Sequence, residues 1–238
     1  MALPYEIFIG LRYLRAKRRN RTISFNTIVS IAGITLGVAA LIGTVGIMTG
    51  FKEDVQAKIL GTTAHILVND RMKESMVDYE EQVKKVAAVP DVVAATPFIF
   101  RQVPLTSPSG VQGIILRGID PAREGTVTEL AHNLVNSNLD DLARQNKVVI
   151  PEKEREPNGS DTAMRPGIIL GKELSMRLGA FPGDTLNVVS PVGPVTGASM
   201  TPKIRQFVVV GIFQSGMYEY DSSLAYIELG EAQKFFNM

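Results

Sequence analysis

A single apolar stretch constrains this chain more than any other feature of its sequence. No residue in the range 22–51 carries an ionisable side chain. A helix needs about 20 mostly apolar residues to cross roughly 30 Å of hydrocarbon while its backbone groups are all hydrogen-bonded internally. Residues 25–48 meet this length, so the sequence predicts a membrane-spanning helix.

Two other interpretations of the apolar stretch are a cleaved signal peptide and a long buried core helix. The apolar core of a signal peptide has about 7 to 15 residues and ends at a small-residue cleavage site. Here the apolar run is longer, and residues 46–52 offer no such site. We therefore predict that residues 22–51 form a membrane helix that the mature protein retains.

The charges on either side of this helix predict its orientation. Residues 1–21 contain six cations and one anion, Glu6, whereas Lys52, Glu53 and Asp54 nearly cancel. Because positive charge stays on the cytoplasmic side, segment 1–21 is expected in the cytoplasm and segment 52–238 outside it. Ile7, Phe8, Leu11 and Leu14 share one face of a basic amphipathic helix in segment 1–21. This helix either lies in the membrane interface or only sets the topology.

The exported segment, residues 52–238, has a composition that excludes one class of partner. It carries 19 basic and 23 acidic side chains, whereas nucleic-acid binding requires a clustered basic surface. The chain has no cysteine. An exported domain of this kind must fold without disulfides, which suits a bacterial envelope protein.

Small residues recur four positions apart inside the predicted membrane helix. Gly33 and Gly37 form one pair, and Ala39 and Gly43 form another. Small residues at this spacing allow a second helix to approach closely, although they are common in membrane helices in general. Beyond the bilayer, apolar residues at helical spacing continue to a predicted C-cap at Gly61, which predicts a stiff stalk.

Apolar periodicity in the exported segment predicts a mixed α/β domain. Helices are expected from Tyr79, with Asp78 as N-cap, and over residues 172–178. A charged segment within residues 147–165 is rich in Pro and Gly and is expected to be an insertion. The predicted strands are 64–68, 92–100, 103–106, 111–119, 148–150, 167–170, 185–189, 204–213 and 223–227.

The sequence contains no recognisable catalytic or metal-binding constellation. Residues 167–172 (GIILGK) resemble a phosphate-binding loop, but the spacing is one residue short and Glu173 replaces the Ser or Thr that would bind magnesium. His65 and His132 have no second ligand at a metal-binding spacing. Acidic pairs at 140–141 and 219/221 are better explained as caps and turns. We predict a non-catalytic chain without cofactor or metal.

The loop at residues 190–202 is the strongest candidate for a binding site. A turn of two to five residues could join the flanking predicted strands, so a longer proline-rich connection needs a reason. Proline fixes φ and lowers the entropy lost on docking. A tolerated surface insertion is the alternative. The residues expected to meet a partner are Pro191, Val192, Pro194, Val195, Met200 and Pro202.

Several segments together resemble one protein family. They are residues 8–13 (FIGLRY), 33–38 (GITLGV), 48–51 (MTGF), 117–121 (RGIDP), 167–174 (GIILGKEL), 182–184 (PGD) and 216–221 (GMYEYD). The series resembles the permease subunits of lipoprotein-releasing ABC transporters (LolC and LolE) and, more distantly, MacB-type exporters. This resemblance implies an α+β fold, in which one N-terminal transmembrane helix continues into a MacB-like periplasmic mixed α/β domain of two small lobes.

The resemblance also implies partners and a location. The family works in the bacterial inner membrane with an ABC ATPase subunit, a second permease subunit (the same or a paralogue), lipoprotein cargo and a periplasmic lipoprotein carrier. Its carrier-binding hook would correspond to residues 190–202, with Arg205 in the basic pad at the base. Gly33 and Gly37 would pack on another membrane helix, and Met48 would border the acyl chains of cargo. The chain is expected to be an N-terminal fragment, and the 147–165 insertion departs from the family.

Two alternatives stay open at the level of the sequence. A MacB-like exporter or a division-related permease would share this architecture and move other cargo or none. A signal-anchored periplasmic binding domain from another family would share only the anchor, and tethered domains usually have a flexible linker.

Overall fold

The apolar stretch of the sequence is helical along its whole length. A computed structural model shows one helix at Arg21–Thr62. Within the part of the chain that the structure describes, this is the one helix long and apolar enough to cross a membrane, between Phe25 and Thr62. The predicted helix is therefore present, with a length and composition that suit a membrane span.

The structure describes residues 5–15, 21–70, 75–76, 78–149, 162–190, 195–196, 199–200 and 202–238. The helices are α1 (Tyr5–Arg15), α2 (Arg21–Thr62), α3 (Tyr79–Ala87), α4 (Pro121–Glu124), α5 (Asp140–Ala143), α6 (Lys172–Leu178), α7 (Tyr218–Ser223) and α8 (Leu229–Phe236), with a 3-10 turn at Glu129–Ala131. The strands are β1 (Phe98–Ser107), β2 (Gly110–Ile119), β3 (Leu134–Val135), β4 (Gln145–Val149), β5 (Thr162–Gly171), β6 (Thr185–Ser190), β7 (Val195–Thr196), β8 (Ser199–Met200), β9 (Lys203–Phe213) and β10 (Leu224–Glu228).

The chain divides into two compact units, Met1–Val55 and Gln56–Met238. The last two turns of α2 belong to the second unit, where Thr62 is buried and the backbone of Gly61 lies beside the Glu129 carboxylate. The domain boundaries inferred from the sequence, 1–21, 22–51 and 52–238, stay a prediction.

Six strands of the second unit pair into a ring. β1 pairs with β2, β2 with β10, and β10 with β5. β5 then pairs with β9, β9 with β6, and β6 with β1. β3 and β4 extend this sheet by pairing with β9 and β5. The two lobes expected from the sequence thus share one sheet, because β10 and the β1–β6 pairing join residues 98–119 to residues 162–213.

Alternation along the strands separates two apolar clusters. Side chains of a strand point alternately to its two faces. Ile168 and Leu170 of β5 belong to the cluster inside the ring, whereas Ile169 between them belongs to the cluster outside it. The inner cluster also contains residues from α6 and α8, and the outer one includes Leu142 of α5. All these side chains are buried, so both faces of β5 are covered as a buried strand requires.

Most of the predicted elements are present. The helix over residues 172–178 is α6, and the turn at 182–184 has Gly183 at a positive φ of 100°. The hairpin about residues 108–110 joins β1 and β2. The fold class, an apolar N-terminal helix followed by a mixed α/β domain, is confirmed.

Two strand predictions are wrong. Residues 64–68 form no strand, and the side chains of Ile66, Leu67 and Val68 are exposed. β1 begins at Phe98 rather than at residue 92, because Phe98 pairs with Ile119, the last residue of β2. A strand needs a hydrogen-bonding neighbour as well as a suitable sequence, and these segments have none among the described residues.

Candidate partner-binding site

The long connection between β6 and β9 forms a second, smaller hairpin. The β6–β9 ladder ends at the pair Ser190 and Lys203. Beyond it, Val195 pairs with Met200 and Thr196 with Ser199, in a two-stranded sheet separate from the ring. We call β7 and β8 the distal hairpin. The segment that the sequence marked as a candidate is therefore partly β-structured.

The structure places the predicted loop residues unequally. Val195 and Met200 are paired with each other in the distal hairpin. Pro202 is exposed just before β9. Pro191, Val192 and Pro194 lie outside the described residues.

Two cations stand where β9 leaves the distal hairpin. Lys203 donates from Nζ to the Lys234 carbonyl oxygen at 2.8 Å and to Oδ1 of Asn237 at 3.1 Å, both at the C-terminal end of α8. A cation there is favoured by the unpaired carbonyls of the helix end. Arg205, two residues later on the same side of β9, forms an ion pair with Glu231 in the first turn of α8. The root of the hairpin is thus fastened to both ends of α8.

Glu231 is the centre of this group of charges. Its side chain is only 8% exposed, and its two carboxylate oxygens contact different cations. Oε2 pairs with Arg205, and Oε1 lies 2.8 Å from Nζ of Lys234. We call Lys203, Arg205, Lys234 and Glu231 the root cluster. The cluster holds three cations and one carboxylate, and the charge beside the distal hairpin stays net positive when the adjoining Glu228 carboxylate, which accepts from the backbone N–H of Glu231, is counted.

The outer face of the strands below the hairpin is apolar and uncovered. Ile204 is 61% exposed and pairs with the half-buried Val189 of β6. Pro104 of β1 is also exposed. Because Leu105 pairs with Val188 in an antiparallel ladder, Pro104 lies opposite Val189 on the same face of the sheet. A partner that contacts the hairpin would meet cations on one side of its root and apolar side chains on the other.

The predicted helix-packing residues are exposed on α2. A Cβ on Gly33 or Gly37 would have nothing within 4 Å, and Met48 is 65% exposed. Gly37 and Met48 are three turns apart and point within about 20° of each other at 100° per residue. The three residues therefore line one free side of the helix, in a unit separate from the root cluster.

Sequence reasoning missed three members of the root cluster. Arg205 was expected at the base of the loop, but Lys203, Glu231 and Lys234 were not assigned to it. Glu231 and Lys234 lie one helical turn apart on α8, which is ordinary surface spacing. No signal in the sequence connects α8 to residues about 26 positions earlier.

A second buried pair lies on the outer face of the ring. Arg117 and Glu124 are both buried, with 3.4 Å between Nη2 and Oε1, and Thr128 donates to the same oxygen at 3.1 Å. Burial raises the pKa of the Glu124 carboxyl, and Arg117 and Thr128 oppose this. Burial likewise raises the pKa of Tyr226, against the influence of Arg117. Nε of Arg117 and Oε2 of Glu124 have no hydrogen-bond partner.

One residue of each acidic pair accepts hydrogen bonds that stabilise a local turn. Asp221 accepts hydrogen bonds from the backbone N–H and the hydroxyl of Ser215, both at 2.8 Å. Asp141 accepts from the backbone N–H of Asn138 at 3.1 Å. Across the described ranges, no three His, Asp or Glu side chains are grouped closely enough to hold a metal ion.

Comparison with known proteins gives a consistent set of matches. The model of the MacB-like periplasmic core domain matches residues 27–237. The lipoprotein-releasing system transmembrane protein LolC of Neisseria meningitidis is 34% identical over 98% of this chain and 51% of its own length. LolC of Xylella fastidiosa is 35% identical over 99% of this chain and 52% of its own. LolE of Haemophilus influenzae is 23% identical over 96% and 50%. The chain spans about half the length of these relatives.

Proposed function

We propose a function on the premise that this chain belongs to the family of MacB-like periplasmic core domains, and within it to the LolC and LolE permease proteins. The chain would then be the N-terminal part of an ABC transporter permease. This permease would release lipoproteins from the bacterial inner membrane and transfer them to a periplasmic carrier. It would be non-catalytic, with ATP hydrolysed by a separate subunit.

The observation that carries this proposal is the distal hairpin with its root cluster. The hairpin extends from the end of the ladder between Ser190 and Lys203 and forms its own small sheet. Its root combines net positive charge with the exposed apolar Ile204. Interfaces commonly combine an apolar centre with charges that steer and orient the partner. We therefore assign carrier binding to residues 190–205.

The membrane part of the proposal rests on α2. Its charge-free length suits a bilayer, and the excess of cations before residue 22 favours a cytoplasmic N-terminus. The free side of α2 that carries Gly33, Gly37 and Met48 would pack on the membrane helices of a second permease subunit and border the cargo. Extraction of a lipid anchor costs about 0.8 kcal/mol for each buried methylene, which explains the need for an ATPase partner.

Capture of the carrier tests the assignment. Full-length permease, reconstituted in nanodiscs, is assayed for binding of the purified periplasmic lipoprotein carrier from the same organism. Met200→Asp, Pro194→Gly and deletion of residues 191–202 should each weaken binding while leaving the melting temperature unchanged. Arg205→Glu should also weaken binding, and it should lower the melting temperature because it removes one of the two cations that pair with Glu231. Arg144→Glu is the matched control, since Arg144 is an exposed cation just after α5. Undiminished binding by the deletion variant would contradict the proposal.

A further inference from the structure

The carboxylate of Glu231 has an unusual place for an acidic group in a basic surface. It is 8% exposed, whereas its partners Arg205 and Lys234 are 29% and 69% exposed. Burying an unpaired carboxylate is strongly unfavourable, so the burial of Glu231 depends on both cations. The anion is therefore less exposed than the two cations that a partner would meet.

The position of Glu231 is itself fixed by the helix it begins. Its backbone N–H donates to Oε2 of Glu228, the N-cap of α8, at 2.8 Å. Farther along α8, Ala232 packs against Gly118 of β2, and Phe235 packs edge-on against Phe207 of β9 with ring centroids 6.4 Å apart. A carboxylate on so well packed a helix is a rigid attachment point for a flexible arginine.

Arg205 has few other contacts that would hold it. Its guanidinium lies 5.8 Å from the centre of the Phe207 ring, and within the described part of the chain its one ion pair is with Glu231. A long side chain that is free to rotate loses about 2 kcal/mol of rotamer entropy when a partner immobilises it. An arginine already held by a carboxylate has lost part of that freedom before binding.

We propose that Glu231 is a positioning residue for carrier binding, which orders Arg205 and Lys234 so that they meet carboxylates on the carrier. This inference rests on the proposed function of the hairpin and its root. The carrier surface that meets the root cluster is acidic, because the cluster carries three cations and its one anion is buried.

A positioning role for Glu231 and a purely electrostatic site predict opposite effects of Glu231→Gln on carrier affinity. Glu231→Gln removes a negative charge from a basic surface, so a purely electrostatic site would bind an acidic carrier more tightly and with a steeper dependence on salt. If Glu231 positions the cations, the same change weakens binding. We expect about a tenfold rise in Kd, which corresponds to about 1.4 kcal/mol.

The experiment measures carrier affinity of the reconstituted full-length permease at several salt concentrations, for wild type, Glu231→Gln and Glu81→Gln. Glu81 is an exposed residue of α3, paired with Lys85, so its substitution makes the same charge change away from the root. Weaker binding by Glu231→Gln alone, at a temperature well below its melting point, supports the proposal. Unchanged or tighter binding overturns it.

A charge exchange separates positioning from stability. The double variant Arg205→Glu with Glu231→Arg restores an ion pair and leaves the net charge unchanged, but it moves the cation from β9 to α8. The melting temperature should recover relative to Arg205→Glu while the affinity stays low; recovery of both would overturn the positioning role. If wild type itself does not bind the carrier, the proposed function fails, and this inference fails with it.

Discussion

The backbone of Gly171 lies directly against the backbone of Asp221. A Cβ on Gly171 would stand 2.2 Å from the Asp221 carbonyl oxygen. Gly171 is the N-cap of α6, and Asp221 lies in α7. The contact therefore joins two of the segments on which the family resemblance rests, residues 167–174 and 216–221. A larger residue at position 171 would collide with the backbone of Asp221, which explains the glycine.

Gly171→Ala should lower the free energy of unfolding by about 1–3 kcal/mol, because backbone atoms cannot move aside as a side chain can. The measurement is denaturant unfolding of the full-length protein in detergent. Gly113→Ala in β2 is the control, since a Cβ there would have nothing within 4 Å. Equal effects of the two substitutions would show that the close approach does not constrain the fold.

Glu124→Gln should change how stability depends on pH. Burial raises the pKa of Glu124 in the folded state, so its neutral form is favoured there and its contribution to stability is lost as pH rises through the folded pKa. Wild type should thus lose stability relative to Glu124→Gln over a pH range that begins near the ordinary glutamate pKa of about 4.3 and extends upward to the raised folded-state pKa. Melting temperatures of both proteins across that range provide the test. A wild-type advantage that grows with pH would mean that the attraction of Arg117 outweighs burial.

Gly37→Leu should disrupt assembly of the permease with its membrane partners. A leucine at this position would block close approach of a second helix on the side of α2 that is now open. Native gel electrophoresis of the co-expressed transporter would show most of the complex lost. Gly46→Leu makes the same change on the opposite side of the helix, since nine residues at 100° each place it about 180° away, and assembly of this control should be normal.

A reporter enzyme that is active only outside the cytoplasm, fused after Asp70, should be active. The six cations before residue 22 favour retention of the N-terminus in the cytoplasm. Activity of a reporter that works only in the cytoplasm, fused at the same position, would show that the orientation is the opposite one. Replacing Arg18 and Arg19 with Glu should lower the active fraction.

Local features of the fold could be predicted from the sequence. The charge-free run gave α2, the breakers at residues 108–110 gave the β1–β2 hairpin, and the apolar run Ile168–Leu170 gave a buried strand whose side chains are 0% exposed. These depend on neighbours along the chain. The family resemblance, built on short segments in order, is confirmed by the match over residues 27–237.

Features that depend on distant residues could not be predicted. Periodicity marked residues 64–68 as a strand, but it does not say whether another strand is available to pair with it. The ring closes through β5 and β9, and the root cluster joins β9 to α8. Neither contact leaves a pattern in a single sequence. The length and the prolines of residues 190–202 marked this segment as a candidate site. The segment contains the distal hairpin, but these features gave no indication of Glu231.

The position of β10 has a consequence for the order in which this domain can form. β10 lies between β2 and β5, yet it is the last strand of the chain. Until residues 224–228 have been synthesised, β2 and β5 each expose an unpaired edge, and the pairing of β2 with β10, which are roughly a hundred residues apart, forms slowly. During synthesis the domain therefore passes through a stage in which a chaperone would have two open edges to protect.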